Sequence, residues 1–459
     1  MSKKATTERI ILQCVEALDT SNKDKLSEKK SRQPDSYWSW IVCAVGFISI
    51  IIVQGSAFCF GLIFPHLLDE FKRGKSSTAW VGSIAMSGCG LFGPLSGRLT
   101  NHFGARIVVA SGLLLSASGL LLTSLVPSLF LMSLTYGGIF GFGLSLVFIA
   151  VFEIVPRYFV KYRSVATGII TMSTGGALVV MTPVCEALLR AFGWRGTFGG
   201  LGCLVFIVFF TSWLIDPNVA SDEAYTVVEH GKESNDKHKK KILDLSMWKN
   251  KSFAVLTLSH CVIYIGHYVV PLHLAKYCED LGIEEDHVVW LYMCIGLVSL
   301  LARLLGSKLC EVISPQRVFF MFAILSALST LVLPLATTLI RFICYASVYG
   351  LADGMMAIGG ILSCLQALTP KQKAQGFGFY QFFICSAYLC GPPIGGLIAE
   401  KTNSYHPAFM FASGLEFLGL LIFGICLCLK KKFSRKAIEI DSESSFLANL
   451  LVVEKETVL

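Results

Sequence analysis

The sequence predicts an all-α polytopic membrane protein, on three observations. Of its 459 residues, 54% are hydrophobic and 15% charged, whereas a soluble chain carries about a quarter of its residues charged. Mean hydropathy is +0.64. Apolar runs follow one another from Trp38 onward, and runs of about 18–25 residues are long enough to cross roughly 30 Å of hydrocarbon as helices. Twelve such runs are predicted, with a break in composition after the sixth.

The first 37 residues, opening "MSKKATTERI", form a polar tail without a continuous apolar core. They do not read as a signal peptide, so the first span is expected to serve as an uncleaved targeting signal. Span one (38–66) opens in "DSYWSW", Asp35–Trp40, with Trp38 and Trp40 placed as interface anchors. Span two (77–98) runs into "GRLTNHFGAR", Gly97–Arg106, where Gly104 permits the backbone angles of a tight turn. Spans three and four follow at 106–124 and 128–153. The fourth holds "YGGIFGFGLS", Tyr136–Ser145, whose glycines suit close helix packing. "YFVKYRSVATG", Tyr158–Gly168, leads into spans five (164–188) and six (195–215). Residues 216–251 are polar and charge-rich and read as a linker. Spans seven to twelve are predicted at 252–274, 287–309, 316–335, 338–362, 376–398 and 406–429, and residues 430–459 form a second polar tail.

Lysine and arginine near the spans set the orientation. The linker carries Lys237, Lys239, Lys240 and Lys241, and the C-terminal tail opens with Lys430, Lys431, Lys432, Arg435 and Lys436. Arg98 and Arg106 follow span two; Arg157, Lys161 and Arg163 follow span four. All fall on one side if both termini are cytosolic. The opposite loop Glu279–His287 is acidic, while Lys72, Arg73 and Lys75 are a contrary signal. A multi-pass plasma-membrane protein with cytosolic termini is expected, and the glycosylation sequon at Asn250 would then stay unmodified.

Six spans, a cytosolic linker and six more are the plan of the major facilitator superfamily. "GRLTNHFGAR" resembles that superfamily's loop G-x-L-x-D-R-x-G-R-R at Gly97, Leu99, Gly104 and Arg106. Asn101, His102 and Ala105 depart from it, and the lost aspartate weakens any charge relay there. Within the superfamily the chain resembles the monocarboxylate transporters. "DSYWSW" is similar to [DE]-G-[GS]-[WF]-[GA]-W at Asp35, Trp38 and Trp40. "YFVKYRSVATG" is similar to Y-F-x-K-R-R-x-x-A-x-G at Tyr158, Phe159, Lys161, Arg163, Ala166 and Gly168. "VPLHLAKYCEDLGI" and "GPPIGGLIAEKTNSY" look like the end of that family's seventh span and its eleventh span. The likeness covers about residues 34–429. It implies the major facilitator fold, with six-helix bundles at 38–215 and 252–429. It also implies that the residues of the two loop motifs lock helix ends on one side of the transport cycle.

An ionisable residue within a span is a functional candidate. Arg303 lies in "GLVSLLARLLGSKL", Gly296–Leu309, and a guanidinium cannot shed its proton. Ser299 stands one turn earlier on the same face, where the resemblance implies an aspartate in lactate carriers. Asp353, in span ten, is the nearest buried carboxylate of the C-terminal half. Arg303 is expected to be held by Asp353, by a substrate carboxylate, or by each in turn; the other reading is a permanent pair that only fixes packing. Phe58 stands where the resemblance implies a lysine in lactate carriers, and it is expected to line the cavity. Without that lysine and aspartate the case for proton-coupled lactate transport is weaker. His260 and His267, seven apart in span seven, share a face and are candidates for binding a proton or substrate. His273 is expected at the outer interface, and Glu153 to pair with Arg157. No role follows from the sequence for Glu186 or Glu416.

No G-x-S-x-G, H-E-x-x-H or Walker loop is present, so neither an enzyme nor an ATP-driven pump is expected. No cofactor, metal or nucleic-acid partner is expected. Most of the 16 cysteines lie in apolar runs, where cysteine serves as a small apolar residue. The expected function is secondary transport of small monocarboxylates or related organic acids across the plasma membrane by alternating access, with proton linkage left open. Facilitative transport of a zwitterion, with Arg303 and Asp353 clamping opposite charges, is the alternative; a non-transporting nutrient sensor on the same fold is another. Beyond the solute and the lipid bilayer, two partners are considered. The resemblance implies a single-span glycoprotein, which some relatives need to reach the surface. The terminal "ETVL", through Thr457 and Leu459, fits the form that adds to a PDZ-domain sheet edge.

Overall fold

The computed structural model describes residues 34–215, 245–369 and 373–425. The N-terminal tail, most of the linker, the C-terminal tail and its "ETVL" end lie outside the described residues. Among the described residues there is no strand, and ten helices are long and apolar enough to cross a membrane.

The first crossing is α1 (Tyr37–Phe58) and α2 (Phe60–Phe71), which meet at Cys59. The second is α3 (Lys75–Leu91) and α4 (Gly93–Phe103), broken where Pro94 follows Gly93. This pair is not among the ten apolar helices because serines and glycines dilute it. Those small residues serve contact instead. A Cβ on Gly88 would lie 2.8 Å from the backbone of Gly141 in the fourth crossing. α5 (Ala105–Leu125) is the third crossing. The fourth runs from α6 (Leu129–Met132) through a π-helix (Ser133–Phe140) into α7 (Gly141–Ile154).

The predicted fifth and sixth spans are two helices that meet at Gly193. The segment Arg163–Phe209, labelled α8 as a whole, is kinked at Gly193, whose backbone is non-helical at φ +65°. Glycine takes that angle without a steric penalty, so one residue turns the chain where a loop was predicted. The second half contains α9 (Lys251–His267), α10 (Val269–Asp280), α11 (Glu285–Val312), α12 (Pro315–Val332), α13 (Leu339–Gln366) and α14 (Lys373–Thr402). The last crossing, α15, spans His406–Ile425. Asn250, the sequon residue, caps α9: its side-chain oxygen accepts from the Ser252 N–H at 3.1 Å, and its amide donates to the Ala367 carbonyl at 2.7 Å.

Apolar packing follows the halves. One buried cluster draws on residues from Val42 to Ile215, joined by Leu272 and Cys385; two others lie wholly between Met247 and Phe423. The halves touch where side chains are missing. A Cβ on Gly175 would sit 2.9 Å from the Leu300 nitrogen, and one on Gly296 3.0 Å from the Gly175 oxygen.

Charged contacts between the halves gather in the loops after odd-numbered crossings. Lys75 pairs with Asp280 at 3.5 Å, His66 lies 4.0 Å from Glu285, and Arg190 pairs with Asp286. Lys75 also lies 4.2 Å over the Tyr405 ring, so part of the basic loop that ran against the predicted orientation is neutralised by the other half.

At the opposite end the two signature motifs dock on each other. Asp35, in the left-handed region at φ 58°, accepts the backbone N–H groups of Val160, Lys161 and Tyr162 at 3.2, 2.9 and 3.3 Å. These donors, Lys161 first, hold its carboxyl below the usual carboxylate range. Trp40 packs edge-on against Phe159 at 4.9 Å, and the Trp38 indole donates to the Leu214 carbonyl at 3.2 Å. In the other loop motif Gly104, at φ +84°, ends α4 and opens α5. Gly97 lies within α4, and the Arg106 guanidinium sits 5.5 Å from the Trp213 ring. The side chain of Asn101 lies outside the described residues. Lys161 lies 5.3 Å over the Tyr162 ring, and Arg163 is the first residue of α8.

Candidate functional site

Three helices bring polar groups to the centre of the molecule. α11 carries Ser299 and Arg303 one turn apart, α13 carries Asp353, and α9 carries His267. Glycines around Asp353 make the approach possible. A Cβ on Gly354 would lie 2.4 Å from the Ser299 carbonyl oxygen, and one on Gly350 2.5 Å from that of Ile295. Any side chain there would push α13 off α11 and separate Asp353 from Arg303.

The Arg303 Nη2 donates to Asp353 Oδ2 at 3.2 Å, and its Nε donates to Ser299 Oγ at 3.3 Å. Its Nη1 reaches the Thr171 carbonyl of α8, in the other half, at 3.5 Å. Ser299 Oγ donates to the same Asp353 oxygen at 2.7 Å. The remaining Asp353 oxygen lies 3.3 Å from His267 Nε2. A carboxylate only accepts, so this ring nitrogen carries the proton. Nδ1 lies 2.9 Å from Ser326 Oγ, from which it accepts whenever it carries no proton itself. The ring is held flat on Tyr349, centroids 4.5 Å apart, and the Tyr349 hydroxyl donates to the His267 carbonyl at 2.8 Å.

Arg303, Asp353, Ser299, His267 and Phe58 all line one cavity, with Tyr264, Tyr268, Tyr388 and Gln54. The Arg303 and Asp353 side chains keep 12% and 25% of their surface exposed, so both stay within reach of a solute. Gln54 Oε1 and Ser83 Oγ, also on the wall, have no hydrogen-bond partner among the described residues. One fixed cation and one anion make the site neutral overall, and the anion has a hydroxyl and an imidazole beside it. Arg303 can therefore leave Asp353 without stranding it.

His260 stands apart. It is fully buried, is not among the cavity-lining residues, stacks on Phe319 at 3.6 Å and lies 3.1 Å from the Tyr380 hydroxyl. His273 is also fully buried in the protein and bonds to the Pro392 carbonyl at 2.8 Å. Glu153 pairs with Arg157 at 2.5 Å. Sequence reasoning missed Thr171, Gln54 and the tyrosine wall. The wall had a signal, since Tyr264 and Tyr268 stand one turn apart around His267; Thr171 had none, because only the packing of α8 on α11 brings it near. Among the described residues no group of His, Cys, Asp and Glu could hold a metal ion.

A helical membrane protein with a charge-balanced polar site in a cavity between its two halves has the build of a solute carrier. The chain belongs to the major facilitator superfamily, whose family model matches residues 46–277 and 256–455. It is 28% identical over 414 residues to monocarboxylate transporter 4 of Gallus gallus, covering 87% of this chain and 85% of the relative. It is 28% identical to human monocarboxylate transporter 2 over 399 residues, 82% of this chain and 83% of the relative. It is 26% identical to mouse monocarboxylate transporter 11 over 409 residues, 87% and 89% of the two chains. These relatives are transporters and not enzymes, and the chain is a multi-pass membrane transporter of the same superfamily.

Proposed function

We propose that the protein is a secondary transporter carrying small monocarboxylates across the plasma membrane by alternating access, with Arg303 as the carboxylate-binding group. The observation that supports this most is the position of Arg303, a permanent cation on the cavity wall whose present partner has other donors to fall back on. The guanidinium fork takes a carboxylate on two parallel bonds. On substrate arrival Arg303 turns from Asp353 to the solute, Ser299 and His267 keep Asp353 satisfied, and Phe58 closes the apolar side.

The moving units in this proposal are 38–215 and 252–429, joined by 216–251, with tails 1–37 and 430–459 in the cytosol. The ion pairs between Lys75 and Asp280 and between Arg190 and Asp286 hold one end shut. The motifs containing Gly97, Asn101, Gly104 and Arg106 and containing Lys161 and Arg163 act at the other end. His267 is the histidine placed to sense the substrate site, while His260 would act only through Tyr380. A single-span glycoprotein for surface delivery and a PDZ domain at "ETVL" belong to the same proposal.

One observation favours a second substrate class. Asp353 faces the cavity 3.2 Å from Arg303, so a zwitterion could bridge the two. Uptake of labelled lactate, pyruvate, aromatic amino acids, creatine and carnitine at two external pH values tests both. Saturable lactate or pyruvate uptake is expected. Uptake confined to the zwitterions would replace the first reading with the second, and no saturable uptake at all would sink both.

A further inference from the structure

Glu416, on α15, is fully buried and is used by nothing described so far. Its Oε1 accepts from Thr330 Oγ1 at 3.3 Å, and its Oε2 has no partner among the described residues. No ion pair holds it among the described residues. An ionised carboxylate with one weak donor and no cation is costly to bury. A carboxylic acid is not, and it has an O–H to give.

What surrounds Glu416 connects it to the cavity. From α9, His267 faces it; from α12, Ser326 and Thr330; from α13, Tyr345 and Tyr349. Tyr345 has a buried hydroxyl with no partner of its own. α9 and α15 meet at Gly266, where a Cβ would lie 2.1 Å from the Ala412 oxygen and 3.1 Å from Glu416 Cγ. Ser326 Oγ lies 2.9 Å from His267 Nδ1 and faces the Glu416 carboxyl without a hydrogen bond to it among the described residues. His267 in turn lies 3.3 Å from Asp353. With Glu416 protonated, its unpartnered O–H can turn to Ser326, and the roles beyond it agree: Ser326 gives to His267, and His267 to Asp353.

We propose that Glu416 is a proton-binding site of the transporter, loaded and emptied through Ser326 and His267, and that it couples proton movement to the occupancy of Arg303. The step is a pure proton transfer. The Glu416 O–H proton passes to Ser326 Oγ as the Ser326 proton passes to His267 Nδ1, leaving a Glu416 carboxylate and a His267 imidazolium. That imidazolium supplies Asp353 with a cation when Arg303 turns to a substrate carboxylate. The coupling half of the inference rests on the transport reading above; the proton site itself does not.

Two measurements on the purified full chain separate them. Infrared spectra over a pH series should show the carbonyl stretch of a protonated carboxyl that disappears in Glu416→Gln and persists, displaced, in Glu416→Asp. His267→Gln should keep the band but slow its shift on transfer to heavy water, and an unslowed shift removes His267 from the route. In proteoliposomes, net uptake of labelled pyruvate should be accelerated by an acid-outside gradient in the wild type. Glu416→Gln should lose that acceleration while pyruvate-for-pyruvate exchange persists, and Glu416→Asp should recover part of it. A Glu416→Gln spectrum that keeps every protonated-carboxyl band overturns the proton site, and undiminished gradient stimulation in that variant overturns the coupling. If the wild type carries no pyruvate, the monocarboxylate reading falls while the infrared result still decides on Glu416.

Discussion

Arg303 concentrates the argument at the scale of single residues. If its pair with Asp353 served only packing, losing one partner would destabilise the fold by roughly 3–5 kcal/mol. Both side chains reach the cavity, so water softens that cost, and function is the more sensitive readout. Arg303→Lys keeps the charge and gives up the fork. It should reach the surface at wild-type levels and transport about tenfold or more slowly, equivalent to about 1.4 kcal/mol. Wild-type transport by this variant would show that guanidinium geometry is not used. Asp353→Asn alone strands the cation, whereas Asp353→Asn with Arg303→Gln strands nothing. The double variant should therefore be more thermally stable than the sum of the two single effects, and strict additivity would show that the pair is not coupled. Arg303, Asp353 and Ser299 were legible as candidates because a charge in an apolar run stands out. Glu416 did not stand out from the sequence, and its meaning depends on neighbours from three other helices that no local pattern announces.

Among the elements, the docking of the segment before α1 on the segment before α8 carries a pH signature. The Asp35 carboxyl accepts three backbone N–H groups and is held below its ordinary range. A group with a depressed folded-state pKa contributes stability that is complete above its unfolded value and lost as pH falls through the folded one. Asparagine tolerates the left-handed backbone at this position, so Asp35→Asn removes charge without adding strain. Melting curves should show the wild type more stable than Asp35→Asn from neutral pH down to the ordinary carboxylate range, with the two converging below it. A gap that persists in strong acid would mean that the carboxylate's charge is not what the N–H groups hold. The sequence marked both segments as motifs without showing that they touch, since 125 residues separate Asp35 from Val160.

For the whole molecule, orientation is the most direct expectation. Tags at Met1, near Glu233 and at Leu459 should all face the cytosol, from the distribution of lysine and arginine. Antibody labelling of the Glu233 tag on intact cells would refute this. The ion pairs that join the halves at the other end are half-exposed: Arg190 and Asp286 keep 51% and 62% of their side-chain surface. Such pairs contribute about 0.2–1 kcal/mol each, weak enough to break within a transport cycle. Neutralising Asp286 alone should change uptake rates less than Arg303→Lys does, as measured in the same assay.

Sequence alone determined the class of the protein and the list of its costly residues. Apolar run length is a property of contiguous residues, and the penalty for a charge in lipid does not depend on what surrounds the helix, so both can be read locally. The helix count was legible for the same reason, while the tightness of the turn between the fifth and sixth helices was not, because the single left-handed backbone angle of Gly193 makes it. Only the tertiary structure decided which polar groups meet. It brought Arg303 of α11, Asp353 of α13 and His267 of α9 together, set His260 behind Phe319, and placed Ser326 against His267. Those outcomes depend on where glycines let helices approach and on which way each helix turns its faces, and both are fixed by long-range packing between segments far apart in the chain.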